Sequence, residues 1–220
     1  MEPRATTGGR IAAEGDCWRC AERVGLSPFC VACEAPQPLP PDADHFALLG
    51  LPRRLALDGG ELERAYHDAS RRLHPDRHQT ADAQARAFSL AASAAVNRAH
   101  RTLRDPVARG RYWLELHGDA IGQNNNRVPP ELAELVFDVQ EQLAELRAGG
   151  AAAAPARERV RQARCELGER LQERLSALEA RYRAWDAADP AAALGALKQA
   201  LSEIAYLRTL ERDVDGALEA

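Results

Sequence analysis

A proline at position 75 interrupts an otherwise helical pattern that runs from residue 58 to residue 104. Proline disfavours the α conformation of the residue before it, so a helix ending near Leu73 is predicted. That helix has a start signal, Asp58 followed three residues on by Glu61, the pattern of a capping box. At about 100° per residue, Leu62, Tyr66, Ala69 and Leu73 share one face, while Arg64, His67 and Arg71 point away. Beyond the polar turn Arg77-His78-Gln79-Thr80, Thr80 is positioned to cap a second helix. Its predicted face is Phe88, Ala92, Ala95, Ala99 and Thr102, with Leu103 at the edge. Alanines there let two helices approach closely. Asp105-Pro106 then stops this helix and starts another, with aspartate as N-cap and proline at the first helical position. The expectation is an antiparallel hairpin with His74-Pro75-Asp76 at its tip and arginines along one exposed side.

The rest of the composition agrees with helix. Ala, Leu, Arg and Glu dominate, whereas aromatics make up 5% of the chain, which favours helix over sheet. A length of 220 residues suits two small domains or one elongated pair. The formal net charge of -4 gives no reason to expect nucleic acid as a partner. No apolar run approaches the roughly 20 residues that span a bilayer, so no membrane association is expected. Residues 1–16 carry Glu2, Glu14 and Asp16 without an apolar core. They are read as a disordered N-terminus, neither a secretory signal nor a mitochondrial presequence, in a cytoplasmic protein.

The second constellation is Cys17-x2-Cys20 and Cys30-x2-Cys33, with nine residues between the pairs. Each pair can form a knuckle whose two thiolates point at one metal ion, and two knuckles complete a tetrahedron. Structural zinc is the expected occupant, and iron fits the same ligands. Two disulfides are the alternative, which a cytoplasmic setting disfavours. The stretch Ala35-Pro36-Gln37-Pro38-Leu39-Pro40-Pro41 reads as a semi-rigid spacer. Cys165 has no companion cysteine and reads as a free thiol without a function.

Past a loop at Gly122-Gln123-Asn124-Asn125-Asn126, three more helices are expected. Pro129-Pro130-Glu131 opens the first and Gly149-Gly150 closes it. The second runs from near Pro155 to about Trp185, and Asp189-Pro190 opens the third. In the second, Leu171, Leu175, Leu178, Tyr182 and Trp185 are spaced four and three apart, the seam of a coiled-coil-like bundle. Antiparallel packing of three such helices is the economical arrangement. In the first, Leu132, Leu135, Val136, Val139, Leu143 and Leu146 form the core face. Phe137 lies about 140° away from it, beside Glu134, Asp138 and Glu141. In the third, Leu197, Leu201 and Ile204 share a face with Tyr206 roughly opposite. Such aromatics are surface residues, interdomain contacts or a docking patch.

The hairpin resembles a J-domain, the module with which J-proteins stimulate the ATPase of DnaK-type chaperones. More closely, the chain resembles the HscB family, J-type co-chaperones of iron–sulfur cluster assembly. The match is carried by the run from Asp44 to Pro52, by His74-Pro75-Asp76-Arg77, by the run from Val96 to Arg109, and by Arg111-Tyr112-Trp113-Leu114-Glu115-Leu116-His117-Gly118. An N-terminal tetracysteine segment followed by prolines also occurs in some HscB relatives, especially mitochondrial ones. The resemblance implies an all-α protein: a J-domain hairpin and a C-terminal three-helix bundle, with a small tetracysteine metal knuckle before them. The corresponding segments are 17–41 for the knuckle and proline-rich linker, 42–118 for the J-domain and 119–220 for the bundle.

It implies two partners and no chemistry of the chain's own. His74, Pro75 and Asp76 would dock on a DnaK/HscA-type chaperone ATPase, with Arg64, Arg71 and Arg72 steering the encounter. The bundle would hold an IscU-type scaffold through Phe137 and Tyr206, ringed by Glu134, Asp138, Glu141 and Glu145. The sequence departs from the family where His67 and Asp68 dilute the positive face, and where Ala133 and Glu134 replace larger apolar residues. A general J-protein delivering unfolded clients is one alternative, although a Gly/Phe-rich linker and a β-rich client domain are missing. A thiol or metal redox protein is the other, which four cysteines around one ion would close off.

Overall fold

The structure is a computed structural model, and it describes residues 15–40, 43–121, 128, 130–149, 153–188 and 190–219. The expected disordered N-terminus up to Glu14, the loop at 122–126, Pro129, Gly150 and the Asp189 cap lie outside the described residues. The chain divides into two compact units, Met1–Arg104 and Asp105–Ala220. The described residues form helices, with only two isolated bridges, Asp16 to Arg23 and Phe29 to Pro36. None of these helices is long and apolar enough to cross a membrane.

In the first unit, capping residues set the helix starts. Asp44 accepts the Ala47 N–H at 2.7 Å and opens the short α1, His45–Leu48, which buries Phe46 and Leu48. Asp58 accepts the Glu61 N–H at 2.7 Å and opens α2, Gly59–Leu73. Leu62, Ala69 and Leu73 of α2 are buried, and Pro75–His78 forms a 3-10 turn after it. The next helix, α3, spans Ala83–Arg104 and starts later than Thr80 suggests. Asp82 is the capping residue, accepting the Ala85 N–H at 2.7 Å. Residues 79–81 still belong to the preceding turn, where the Ala81 N–H donates to the His78 carbonyl at 3.1 Å, so the helix starts only after them.

The α3 core stripe also differs by one position from the expected one. Ala85, Ser89, Ala92, Ala95, Val96, Ala99 and Leu103 are buried, whereas Phe88 is half-buried beside the stripe. The reason is polar. The hydroxyls of Ser89 and Ser93 both donate to the Leu73 carbonyl, at 2.8 and 2.7 Å, satisfying an orphan acceptor at the end of α2. Toward the other end, the Tyr66 ring stacks on His100, centroids 4.0 Å apart, and its hydroxyl donates to Asn97 at 3.0 Å.

The second unit contains α4 (Pro106–Leu116), α5 (Ala133–Ala148), α6 (Ala153–Asp186) and α7 (Pro190–Glu219). The last three form the expected bundle. Leu171, Leu178 and Tyr182 of α6 are buried, Leu175 and Trp185 half-buried, and the seam continues back through Leu167, Ala163, Val160 and Ala156. On α5, Leu135 and Leu146 are only half-buried, which leaves Val136, Val139 and Leu143 as its core face, continued by Leu132 just before the helix. Arg164 of α6 ties Glu211 and Asp215 of α7 at 2.8 and 2.6 Å.

Helix α4 packs on α6 and α7, so this unit begins at Asp105, whereas the sequence reading grouped residues 42–118 together. Asp105 caps α4 by accepting the Ala108 N–H at 2.7 Å, with Pro106 at the first helical position. The contact depends on Gly110: a Cβ there would lie 2.8 Å from the Tyr182 hydroxyl and 3.2 Å from methyls of Leu197 and Leu201. The Tyr182 hydroxyl itself donates to the Pro106 carbonyl.

Candidate functional site

The loop at the end of α2 is exposed and locally fixed. His74, Pro75, Asp76 and Arg77 are all solvent-accessible. His74 leaves the helical region at ψ 129, as a residue before proline should. Its Nδ1 accepts the Asp76 N–H at 3.3 Å, and the Asp76 carboxylate accepts from Gln79 at 3.1 Å. The His78 ring meets the Arg72 carbonyl at 3.0 Å. With Ser89 and Ser93 holding the Leu73 carbonyl, the loop is anchored from both helices. Sequence reasoning missed these two serines. Their signal is two hydroxyls four residues apart on an otherwise alanine-lined helix face.

The arginines of α2 differ in place and freedom, Arg64 lying near the start of the helix and Arg71 and Arg72 in its last turn. Arg64 and Arg71 are exposed, and Arg72 is half-buried. Asp68 accepts from Arg71 at 3.0 Å and from Arg72 at 2.9 Å. Burial alone would raise the Asp68 carboxyl, but the two guanidiniums outweigh it and hold the group below its usual range. Asp68 therefore stays ionised and cancels part of the positive field of this face.

The four cysteines converge. Their sulfurs all lie within 4.8 Å of one another, with Cys17 to Cys33 at 3.6 Å and Cys20 to Cys30 at 3.7 Å. A tetrahedral ion with bonds of about 2.3 Å sets sulfurs about 3.8 Å apart. Disulfide sulfurs would lie near 2.05 Å, and none of the four cysteines is disulfide-bonded. The two halves of the knuckle share one backbone plan. The Ala21 and Glu34 amides donate to the Cys17 and Cys30 carbonyls, each at 2.9 Å. Ala21 and Glu34 accordingly take left-handed conformations, φ 60 and 57, which glycine would adopt more easily.

The electrostatics also fit a cation. Burial opposes ionisation of Cys17, but N–H groups of Cys20 and Arg19 outweigh it and lower its pKa to about 6. At Cys20 the Glu22 N–H favours the thiolate, yet the neighbouring sulfurs, Cys33 foremost, push the pKa up to about 12. Four thiolates this close cannot all ionise without a positive ion between them. Bound metal would close the loop and fix the knuckle, and four sulfurs leave it no open coordination position.

Gln37 completes this centre and went unnoticed in the sequence, where it lies among prolines. Its side-chain amide donates to Cys17 Sγ at 3.2 Å and to the Ala35 carbonyl at 2.8 Å. Ala35, Pro36 and Gln37 are buried, and the Trp18 indole donates to the Pro36 carbonyl at 2.7 Å. Thus the start of the expected spacer belongs to the knuckle, because the second half of the metal turn pairs back through Phe29 and Pro36.

On the bundle, Phe137 is 69% exposed, and Glu134, Asp138, Glu141 and Glu145 are exposed on the same helix. Glu145 is engaged by Arg159. Tyr206 is half-buried rather than set opposite the core, because α7 contacts α4, α5 and α6 and its apolar stripe is wide. Leu207 and Leu210 join Leu201 and Ile204 in the interior. Cys165 is exposed.

Comparison with known proteins agrees with the all-helical fold and its hairpin. The DnaJ domain family matches residues 44–112. An iron–sulfur cluster co-chaperone protein HscB homolog of Arabidopsis thaliana is 29% identical over 147 residues, 66% of this chain and 58% of that protein. The crystal structure of human co-chaperone protein HscB aligns with a TM-score of 0.66 and 26% identity, covering 90% of this chain and 96% of that one. A co-chaperone protein HscB homolog of Bordetella pertussis is 39% identical over 131 residues, 59% of this chain and 77% of its own length. Likeness of that degree, through the hairpin that holds the exposed tripeptide, places the chain in the HscB co-chaperone family.

Proposed function

We propose that this protein is a co-chaperone of iron–sulfur cluster assembly, binding an IscU-type scaffold on its bundle and bringing it to a DnaK-type ATPase. The observation that carries the reading is the His74-Pro75-Asp76 loop, exposed, pinned by Ser89 and Ser93, and set in a chain whose relatives are HscB co-chaperones. The loop presents an imidazole, a rigid ring and a carboxylate within one 3-10 turn. Docked on the ATPase, these groups favour its hydrolysing conformation by binding it more tightly than the alternative state. The co-chaperone itself performs no chemistry. Arg64, Arg71 and Arg72 orient the encounter, which makes association salt-sensitive.

On the bundle, Phe137 offers an apolar contact, Glu134, Asp138 and Glu141 surround it with negative charge, and Glu145, paired with Arg159, extends the acidic side one turn further. Tyr206 contributes its exposed edge. The metal is zinc, bound by Cys17, Cys20, Cys30 and Cys33 in a structural role. The test is a steady-state ATPase assay with a DnaK-type chaperone and an IscU-type scaffold. The wild type should raise the hydrolysis rate, and His74→Gln should abolish the rise while leaving helicity and scaffold binding intact. Equal stimulation by the variant overturns the assignment of the loop.

A further inference from the structure

The knuckle holds the hairpin by residues that sit directly beside its cysteines. Phe29, which precedes Cys30, lies under the Arg72 guanidinium, 4.9 Å from carbon to ring centroid. Glu34, which follows Cys33, approaches Arg72 at 3.8 Å and Arg77 at 3.2 Å. Trp18, which follows Cys17, packs edge-on against Phe88 of α3, centroids 6.0 Å apart. Arg72 and Arg77 flank the exposed tripeptide on either side. Around that tip, Arg71 and Arg72 pair with Asp68, Arg72 and Arg77 with Glu34, and Asp76 lies beside His74, so Glu34 is the acid that brings the formal charge of these arginines and carboxylates to zero. Without Glu34 the same end of the hairpin is net positive.

Glu34 is held in place by the metal turn. Its left-handed backbone is kept by its amide bond to the Cys30 carbonyl at 2.9 Å, directly after the Cys30–Cys33 turn that the metal would close. We propose that the metal-closed knuckle is a built-in competitor for Arg72 and Arg77, so that metal occupancy sets how strongly the docking tip attracts an acidic partner surface. Bound metal keeps the Glu34 carboxylate and the Phe29 ring over the arginines. Loss of the metal frees residues 29–34, uncovers Arg77, removes the ring and the second carboxylate from Arg72, which keeps only Asp68, and leaves the tip positive. The inference rests on the tip being the chaperone-docking point.

Exposed pairs of this kind couple weakly one by one, so the shift is modest and salt-dependent. Binding of a DnaK-type ATPase, measured by titration, should tighten by about two- to fivefold for Glu34→Gln with its zinc in place. Chelating the wild type should give a similar gain, chelating Glu34→Gln should add little, and high salt should erase the differences. Unchanged or weaker binding by zinc-loaded Glu34→Gln would mean that the knuckle belongs to the docking surface, and overturns the proposal. A second readout needs no partner: modification of Arg72 and Arg77 by phenylglyoxal in the isolated protein, followed by mass spectrometry. Reactivity should rise on chelation and in Glu34→Gln. If the wild type fails to bind the ATPase, the docking assignment falls, and this readout still decides whether the knuckle covers the arginines. Unchanged reactivity rejects that cover.

Discussion

Phe137 and Tyr206 were expected to act as a pair, but burial separates what their loss should do. A ring that is 69% exposed contributes little to folding, so Phe137→Ala should change stability by less than about 0.5 kcal/mol. Full burial of such a ring against a partner recovers about 1.5–3 kcal/mol, tenfold or more in affinity. The variant should therefore lose scaffold binding and keep its melting temperature, as calorimetric titration and thermal scanning can measure. Tyr206 is half-buried beside Leu207 and Leu210, and Tyr206→Ala should lower stability by about 1 kcal/mol as well as weaken binding. A Phe137→Ala protein that melts several degrees lower and binds normally would make the ring a packing residue and move the scaffold surface elsewhere. Glu134, Asp138 and Glu141 are individually screened, and their joint effect appears as salt dependence.

Among the elements, α4 has the narrowest tolerance. A Cβ at Gly110 would press 2.8 Å from the Tyr182 hydroxyl, which is already committed to the Pro106 carbonyl. Gly110→Ala should cost about 1–3 kcal/mol by overpacking, despite alanine's better helix propensity. A stability equal to or above wild type in denaturant unfolding would show that Tyr182 moves aside freely. Much of the helical layout was legible in the sequence: the Asp58 and Asp105 caps, the break at Pro75 and the α6 seam all follow from local chemistry. Other features depend on contacts from afar. Phe88 is apolar and fits the α3 stripe, yet Ser89 takes the buried place because the Leu73 carbonyl needs a donor. Thr80 is a good cap, yet the 3-10 turn delays the helix to Asp82. At the site, the cysteine spacing announced the metal turn, whereas Gln37, Glu34 and Phe29 carried no pattern of their own. Their roles arise only when two segments fold together.

At the scale of the whole molecule, the metal supports one small part. Cys17, Cys30 and Ala35 form an apolar cluster with Trp18, Val24 and Cys33 around them, too little surface to hold the segment alone. Knuckle folding energy is thus mostly metal-binding energy. Protein purified without oxygen should contain one zinc per chain. Replacing Cys17 and Cys20 by serine should disorder residues up to about 34 while the hairpin and bundle keep their helicity. Hydrogen exchange and elemental analysis check both statements, and a metal-free purified protein with an ordered knuckle would contradict them. The Tyr182–Pro106 bond has a kinetic meaning for the second unit. It joins residues 76 apart in sequence, whereas α6 and α7 are separated by a short turn. The α6–α7 pair closes a small loop and can form early, while α4 has nothing to dock on until Leu197, Leu201 and Tyr182 have come together. Helix α4 is therefore expected to dock last and open first, so its amides should exchange faster than those of α6 and α7 in native-state hydrogen exchange, and equal protection would contradict this.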